Sequence, residues 1–190
     1  DYCILKDLSQ MSSGTFEPVL RRLFLMLKGM SHDALTYAQG YDKEKMKNIG
    51  PIKDNLHRFV NYSLRLLNKK AITENNKSAQ HYTIIYGIKM ISDALHYISI
   101  EFNERKRSPS KEAMAGFSEA VNSIDLFYSL FYKFDHDTAL GLVKSRRKAF
   151  ESINAVQEKQ NIDDILLVGR LSFILVQLLN MLEIRVSMEM

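Results

Sequence analysis

Two residue pairs in this chain have types and spacing suited to holding a metal. Asp54 and His57 stand three positions apart, and so do Asp93 and His96. Residues three apart share a helix face, and a carboxylate beside an imidazole is a good ligand pair for zinc, iron or manganese. Carboxylate-x-x-His pairs on two helices also build di-iron centres in bundles. A turn centred near Thr73 would put Asp54 and Asp93 at nearly equal heights on antiparallel helices. Both pairs, however, fall opposite the apolar seams of their helices, where outward side chains diverge. Solvated polar residues are therefore the favoured reading, and a divalent metal is the alternative.

Other residues could bind anions. Arg21 and Arg22 could hold a phosphate or an acidic partner helix, because guanidinium groups grip oxyanions with paired donors. Solvation or pairing with Glu17 is the simpler reading. Arg105-Lys106-Arg107 and Arg146-Arg147-Lys148 could meet phospholipid or nucleic acid, but short basic runs are usually solvated. Phe117, Phe127, Tyr128, Phe131, Tyr132 and Phe134 could line an apolar ligand site, although core or subunit packing accounts for them more simply. No nucleophile elbow, phosphate-binding glycine loop, HExxH or cysteine–histidine zinc spacing occurs. A chorismate-mutase-like helical enzyme would need inward basic residues, and only the fifth expected helix offers them.

The elements that position these residues follow from periodicity. Ile84, Ile88, Ile91, Leu95, Ile98 and Phe102 alternate steps of four and three, which aligns them on one helix face. Five other segments repeat the design, at about 16–39, 42–68, 109–134, 138–159 and 163–188. Gly40 fits the end of the first. Asp42 can cap the second, in which Gly50-Pro51 predicts a kink or a late start. Stretch 69–77 reads as a loop and Ser78 as the next cap. Ser108-Pro109 reads as a cap followed by proline at the first helical position, and Asp135 or Asp137 as a cap beyond it. Ser145 to Lys148 interrupt the apolar stripe of the fifth helix. In the sixth, Ile165, Val168, Ser172, Leu175, Leu179, Leu182 and Val186 form the expected seam.

Composition agrees with this outline. Three prolines and eight glycines in 190 residues favour long helices, and 46% hydrophobic residues suffice for one substantial core. A net charge of +4 is too small for a nucleic-acid footprint. Cys3 is the only cysteine, so the chain has no internal disulfide, which fits a reducing cytoplasm. The most apolar region, 162–186, is interrupted by Arg170 and Glu183 and reads as a buried core helix rather than a membrane span. The fold class expected is all-α: six long antiparallel helices in two tandem three-helix repeats, 16–104 and 109–190. Segment 1–15 would be a leader or the end of an upstream domain. Gly40-Tyr41-Asp42 before the second helix parallels Lys133-Phe134-Asp135 before the fifth.

Two stretches carry a family resemblance: Lys6-Asp7-Leu8 with Leu20-Arg21-Arg22-Leu23-Phe24-Leu25-Met26-Leu27-Lys28-Gly29-Met30; and Arg58-Phe59 through Leu64-Arg65-Leu66-Leu67-Asn68-Lys69, followed by the helix with Ile91-Ser92-Asp93. With the six-helix repeat, they resemble the PhoU-like family of phosphate-uptake regulators. The nearest type is the archaeal one in which the helical domain follows an AbrB-like domain, and the start at Asp1 fits such a part of a longer chain. The resemblance implies a non-enzymatic cytoplasmic regulator of phosphate uptake or phosphate-responsive transcription, either free or peripheral to the membrane. It would act through contacts with a phosphate-transport or signalling protein and as a homodimer, without binding nucleic acid itself. The family's metal motif is a carboxylate followed four residues later by Asp. Asp93 matches the second position, Lys89 stands at the first, and Gly169 to Phe173 on the sixth helix offer no matching pair. The alternative function is a metal-binding bundle, with or without catalysis, built on Asp54, His57, Asp93 and His96.

Overall fold

A computed structural model describes residues 16–71, 77–105, 107–158 and 162–189, and the elements they form are all helices. Six are long: α1 (Phe16–Gln39), α3 (Ile49–Ala71), α4 (Ser78–Glu104), α5 (Lys111–Tyr132), α6 (His136–Glu158) and α7 (Ile162–Ser187); α2 (Lys43–Met46) is a single turn. The expected leader 1–15 and the loop centre at Thr73 lie outside the described residues. Helices α1, α3 and α4 pack on one another, as do α5, α6 and α7, and the two groups meet through α4 against α7 and α1 against α5.

The seam of α4 is as the spacing predicts. Ile84, Ile88, Ile91, Leu95, Ile98 and Phe102 are all buried at the centre of the core. The α7 seam is met in part. Val168, Leu175 and Leu182 are buried as expected, Ile165 and Val186 are exposed, and Leu167, Leu171, Ile174, Leu178 and Met181 are buried beside the seam. This helix is apolar on nearly every side, so periodicity does not single out one face. Buried Asp164 and Arg185, one near each end, accompany the face that turns inward. By length and composition α7 is the one described helix able to cross a membrane, and 44% of its apolar window is buried inside the protein.

Several helix ends depart from the expected caps. Asp42 accepts from Lys45 N at 3.0 Å, but it caps α2; α3 starts late, at Ile49, so Pro51 sits harmlessly in its first turn. The left-handed residue beyond α1 is Tyr41, with φ of 51°, rather than Gly40. Tertiary contacts hold it there: its ring meets Phe102 at 5.2 Å and its hydroxyl donates to Arg105 O at 2.7 Å. Ser78 is already helical, and Lys77 precedes α4 without a side-chain cap. The cap of α5 is Ser110, accepting from Ala113 N at 3.2 Å, so Ser108-Pro109 lies before the helix. Asp135 caps α6 through Thr138 N at 2.8 Å, as its spacing suggests.

Small residues allow close helix approach. Buried Ser31, Ser63, Ser92, Ser99 and Ser123 each donate to a carbonyl of the preceding turn, which satisfies their hydroxyls inside the core. Gly87 leaves room for α7: a Cβ there would lie 2.6 Å from Met181 Sδ. The polar interruption in α6 is also accommodated. Ser145 is buried, donating to Glu119 Oε2 at 2.7 Å and accepting from Ser123 Oγ at 3.1 Å on α5.

Candidate functional site

The antiparallel packing of α3 on α4 brings together residues whose outward positions were expected to diverge. His57 Nε2 lies 3.0 Å from Asp93 Oδ1, and both side chains are mostly buried. The residue that meets Asp93 is His57, one turn on from the Asp54 expected at its height, and helix packing turns these two faces toward each other. Asp54 stays outside the contact: it is largely exposed and pairs with Lys53 at 3.3 Å. His96 rests against the bare Cα of Gly50, where a Cβ would come within 3.3 Å of its ring, and its Nδ1 is 3.5 Å from Ser99 Oγ. The four predicted ligands thus do not converge. Among the described residues no group of three or more His, Cys, Asp or Glu side chains is placed to hold a metal. At Asp93, the Lys89 ammonium occupies Oδ2 at 2.8 Å, filling the side where a cation would sit.

The electrostatics of this cluster favour a neutral imidazole. Burial lowers the pKa of His57; Asp93 pulls it upward, but Lys53 and Lys89 add to the lowering. Burial likewise lowers His96, with Lys53 acting in the same direction. Ser92 Oγ lies 3.4 Å from His57 Nε2, which brings serine, histidine and aspartate together. They cannot work as a catalytic triad. A triad histidine uses its two nitrogens for two partners, whereas here Asp93 and Ser92 approach the same nitrogen. Ser92 is also fully buried, and its hydroxyl donates to Lys89 O at 2.7 Å.

The two adjacent arginines part company. Arg21 lies over the Tyr132 ring of α5 at 4.6 Å, and Arg22 over the Phe59 ring of α3 at 4.7 Å. They therefore do not form one anion fork. Arg22 instead shares a groove with Arg58, lined also by Pro18, Val19, Asn55, Phe59 and Tyr62 and about 560 Å³ in volume. The sequence signal for it was the 55, 58, 59, 62 spacing, which puts those four residues on one face of α3.

The remaining candidates are mostly structural. Arg105 is not a solvated linker residue: it is buried, and its Nη1 meets Asp164 Oδ1 at 2.7 Å. Arg146 lies over the Phe150 ring and Arg147 pairs with Glu151. The aromatics of α5 pack against Phe24 of α1, which contacts Phe127, Tyr128, Phe131 and Tyr132. In comparisons with known proteins, no family model, no curated protein and no solved structure matches this chain.

Proposed function

We infer that this chain is a non-enzymatic PhoU-like regulatory module of two tandem three-helix units, acting through protein contacts and self-association in phosphate uptake or phosphate-responsive transcription. The sequence likeness in α1, α3 and α4 suggests the family, and the mutual packing within α1–α3–α4 and within α5–α6–α7 is compatible with the repeat. The observation that carries the contact role is the outer face of α7. Ile165, Leu166 and Val176 are 44, 60 and 43% exposed, with Gly169 between them; Arg170 flanks this stripe and exposed Glu183 lies two turns beyond Val176. Neighbouring α4 adds exposed Ile100 and Tyr97, whose ring lies under the Arg170 guanidinium at 4.8 Å.

An exposed, contiguous apolar surface is costly in water and commonly marks an interaction site. Between Ile165 and Val176 this apolar stripe can pair with a copy of itself without bringing like charges together. It runs about 17 Å along the helix, a part of the ~800 Å² per partner of a typical stable interface. Sedimentation equilibrium tests the reading. The wild type should be dimeric across the micromolar range, and Leu166→Arg should be a folded monomer. A wild-type monomer at those concentrations would remove self-association from the function.

A further inference from the structure

We propose that the groove between α1 and α3 binds a small soluble organic anion, a phosphomonoester or carboxylate carried on an apolar body. Its walls divide by chemistry. Pro18, Val19 and Phe59 give apolar surface, Arg22 and Arg58 give two guanidinium groups, and Asn55 and Tyr62 complete the lining. No carboxylate lines it. Among the described residues no acidic side chain pairs with Arg22 or Arg58; Arg22 has the Phe59 ring as its neighbour instead. Two guanidinium groups over one groove without counter-charge favour an oxyanion, which they can grip with paired donors.

The size of the groove selects the class of occupant. Its α1 wall runs from residue 18 to 22 and its α3 wall from 55 to 62, about 6 Å and about 10 Å at the helical rise. A volume of about 560 Å³ is in the range of small-molecule sites. A partner helix would need a longer trough. Another groove, between α5 and α6, makes a useful contrast: Lys111 and Lys148 line it with Glu112, Glu119 and Glu151, so it has no net preference for an anion. The site does not depend on the regulatory reading, and its test needs neither a partner nor a dimer.

The test is calorimetric titration of the intact chain with octyl phosphate below its micelle concentration. Inorganic phosphate and octyltrimethylammonium are titrated in parallel. Octyl phosphate should saturate one site per chain, and Arg22→Gln and Arg58→Gln should each weaken it roughly tenfold. Both arginines are exposed, and circular dichroism checks that the variants remain folded. Equal affinity for inorganic phosphate would show that the apolar wall is idle and would overturn the proposal. Equal affinity for the cationic amphiphile would show the arginines to be idle, with the same consequence. Absence of saturation, or binding only to phosphatidic acid vesicles, would also overturn it.

Discussion

Removing the carboxylate of Asp164 should destabilise the protein more than loss of any surface ion pair. Asp164 is 1% exposed and Arg105 is 8% exposed, and their 2.7 Å contact joins the end of α4 to the start of α7. The second carboxylate oxygen accepts from Ser110 N at 3.0 Å, fixing the cap residue of α5 as well. Burial alone would raise the pKa of Asp164, but hydrogen bonds from Ser110 and Arg105, with the charge of Arg105, bring it below the ordinary value. Its carboxylate therefore contributes stability above the unfolded pKa of about 3.9 and loses it as pH falls through the folded pKa. Asp164→Ala leaves a buried guanidinium without its partner, a loss of about 3–5 kcal/mol. For a chain of this size that lowers Tm by roughly 6–20 °C. Replacing both residues, Arg105→Met with Asp164→Leu, should recover most of the loss, because an apolar pair incurs no charge desolvation. The Arg105 carbonyl would still accept from Tyr41 and Lys43 in that double variant. Urea melts followed by circular dichroism at pH 7 give the comparison. A loss below about 1 kcal/mol for Asp164→Ala would mean a pair screened as an exposed one is, and the burial argument would be wrong. A double variant as unstable as the single would refute the charge argument and leave only packing.

Three further outcomes follow from the helix packing. His57 and His96 have lowered pKa values, so the unfolded chain takes up their protons first; stability should be full above about pH 6.5 and fall as pH drops toward the folded values. The acid limb should flatten in His57→Gln, measured by urea melts between pH 5 and 8, the range in which an ordinary histidine titrates; an unchanged slope would remove His57 from the titration. Gly29→Ala and Gly87→Ala should have opposite signs. A Cβ at Gly29 meets nothing within 4 Å, so helix propensity should add up to about 1 kcal/mol, whereas at Gly87 it presses on Met181 and should cost about 1–3 kcal/mol. Thermal melts of the two variants suffice, and equal signs would place α7 farther from α4 than the structure has it. The self-association experiment should also show that Leu166→Arg keeps its helical circular dichroism, since that side chain is mostly exposed, while its Tm loses the concentration dependence a dimer has.

Periodicity made the α4 face legible because its two sides differ: an isoleucine-rich stripe stands against Lys89, Asp93 and His96. It was less decisive on α7, where Val168, Leu175 and Leu182 are buried as expected but Ile165 and Val186 are exposed, because a helix apolar all round carries no such contrast and its burial depends on its neighbours. Caps were readable where the side chain acts locally, as at Asp42 and Asp135. They were missed where the serine chosen was displaced by a residue or two, as at Ser78 and Ser108. The same limit explains the site. Helical spacing placed Asp54 and Asp93 at nearly equal heights but could not give the rotation of α3 against α4, and that rotation brings His57, one turn on from Asp54, to 3.0 Å from Asp93. Charges were the least legible of all. Arg105 read as one member of a basic run, yet its partner is 59 positions away, and Arg22 read as the twin of Arg21 although Arg58 is its companion in the groove. A guanidinium on a flexible stem takes its role from whatever the fold delivers to it. Of the described arginines to which the fold delivers no carboxylate, Arg22 and Arg58 are the two that line one groove.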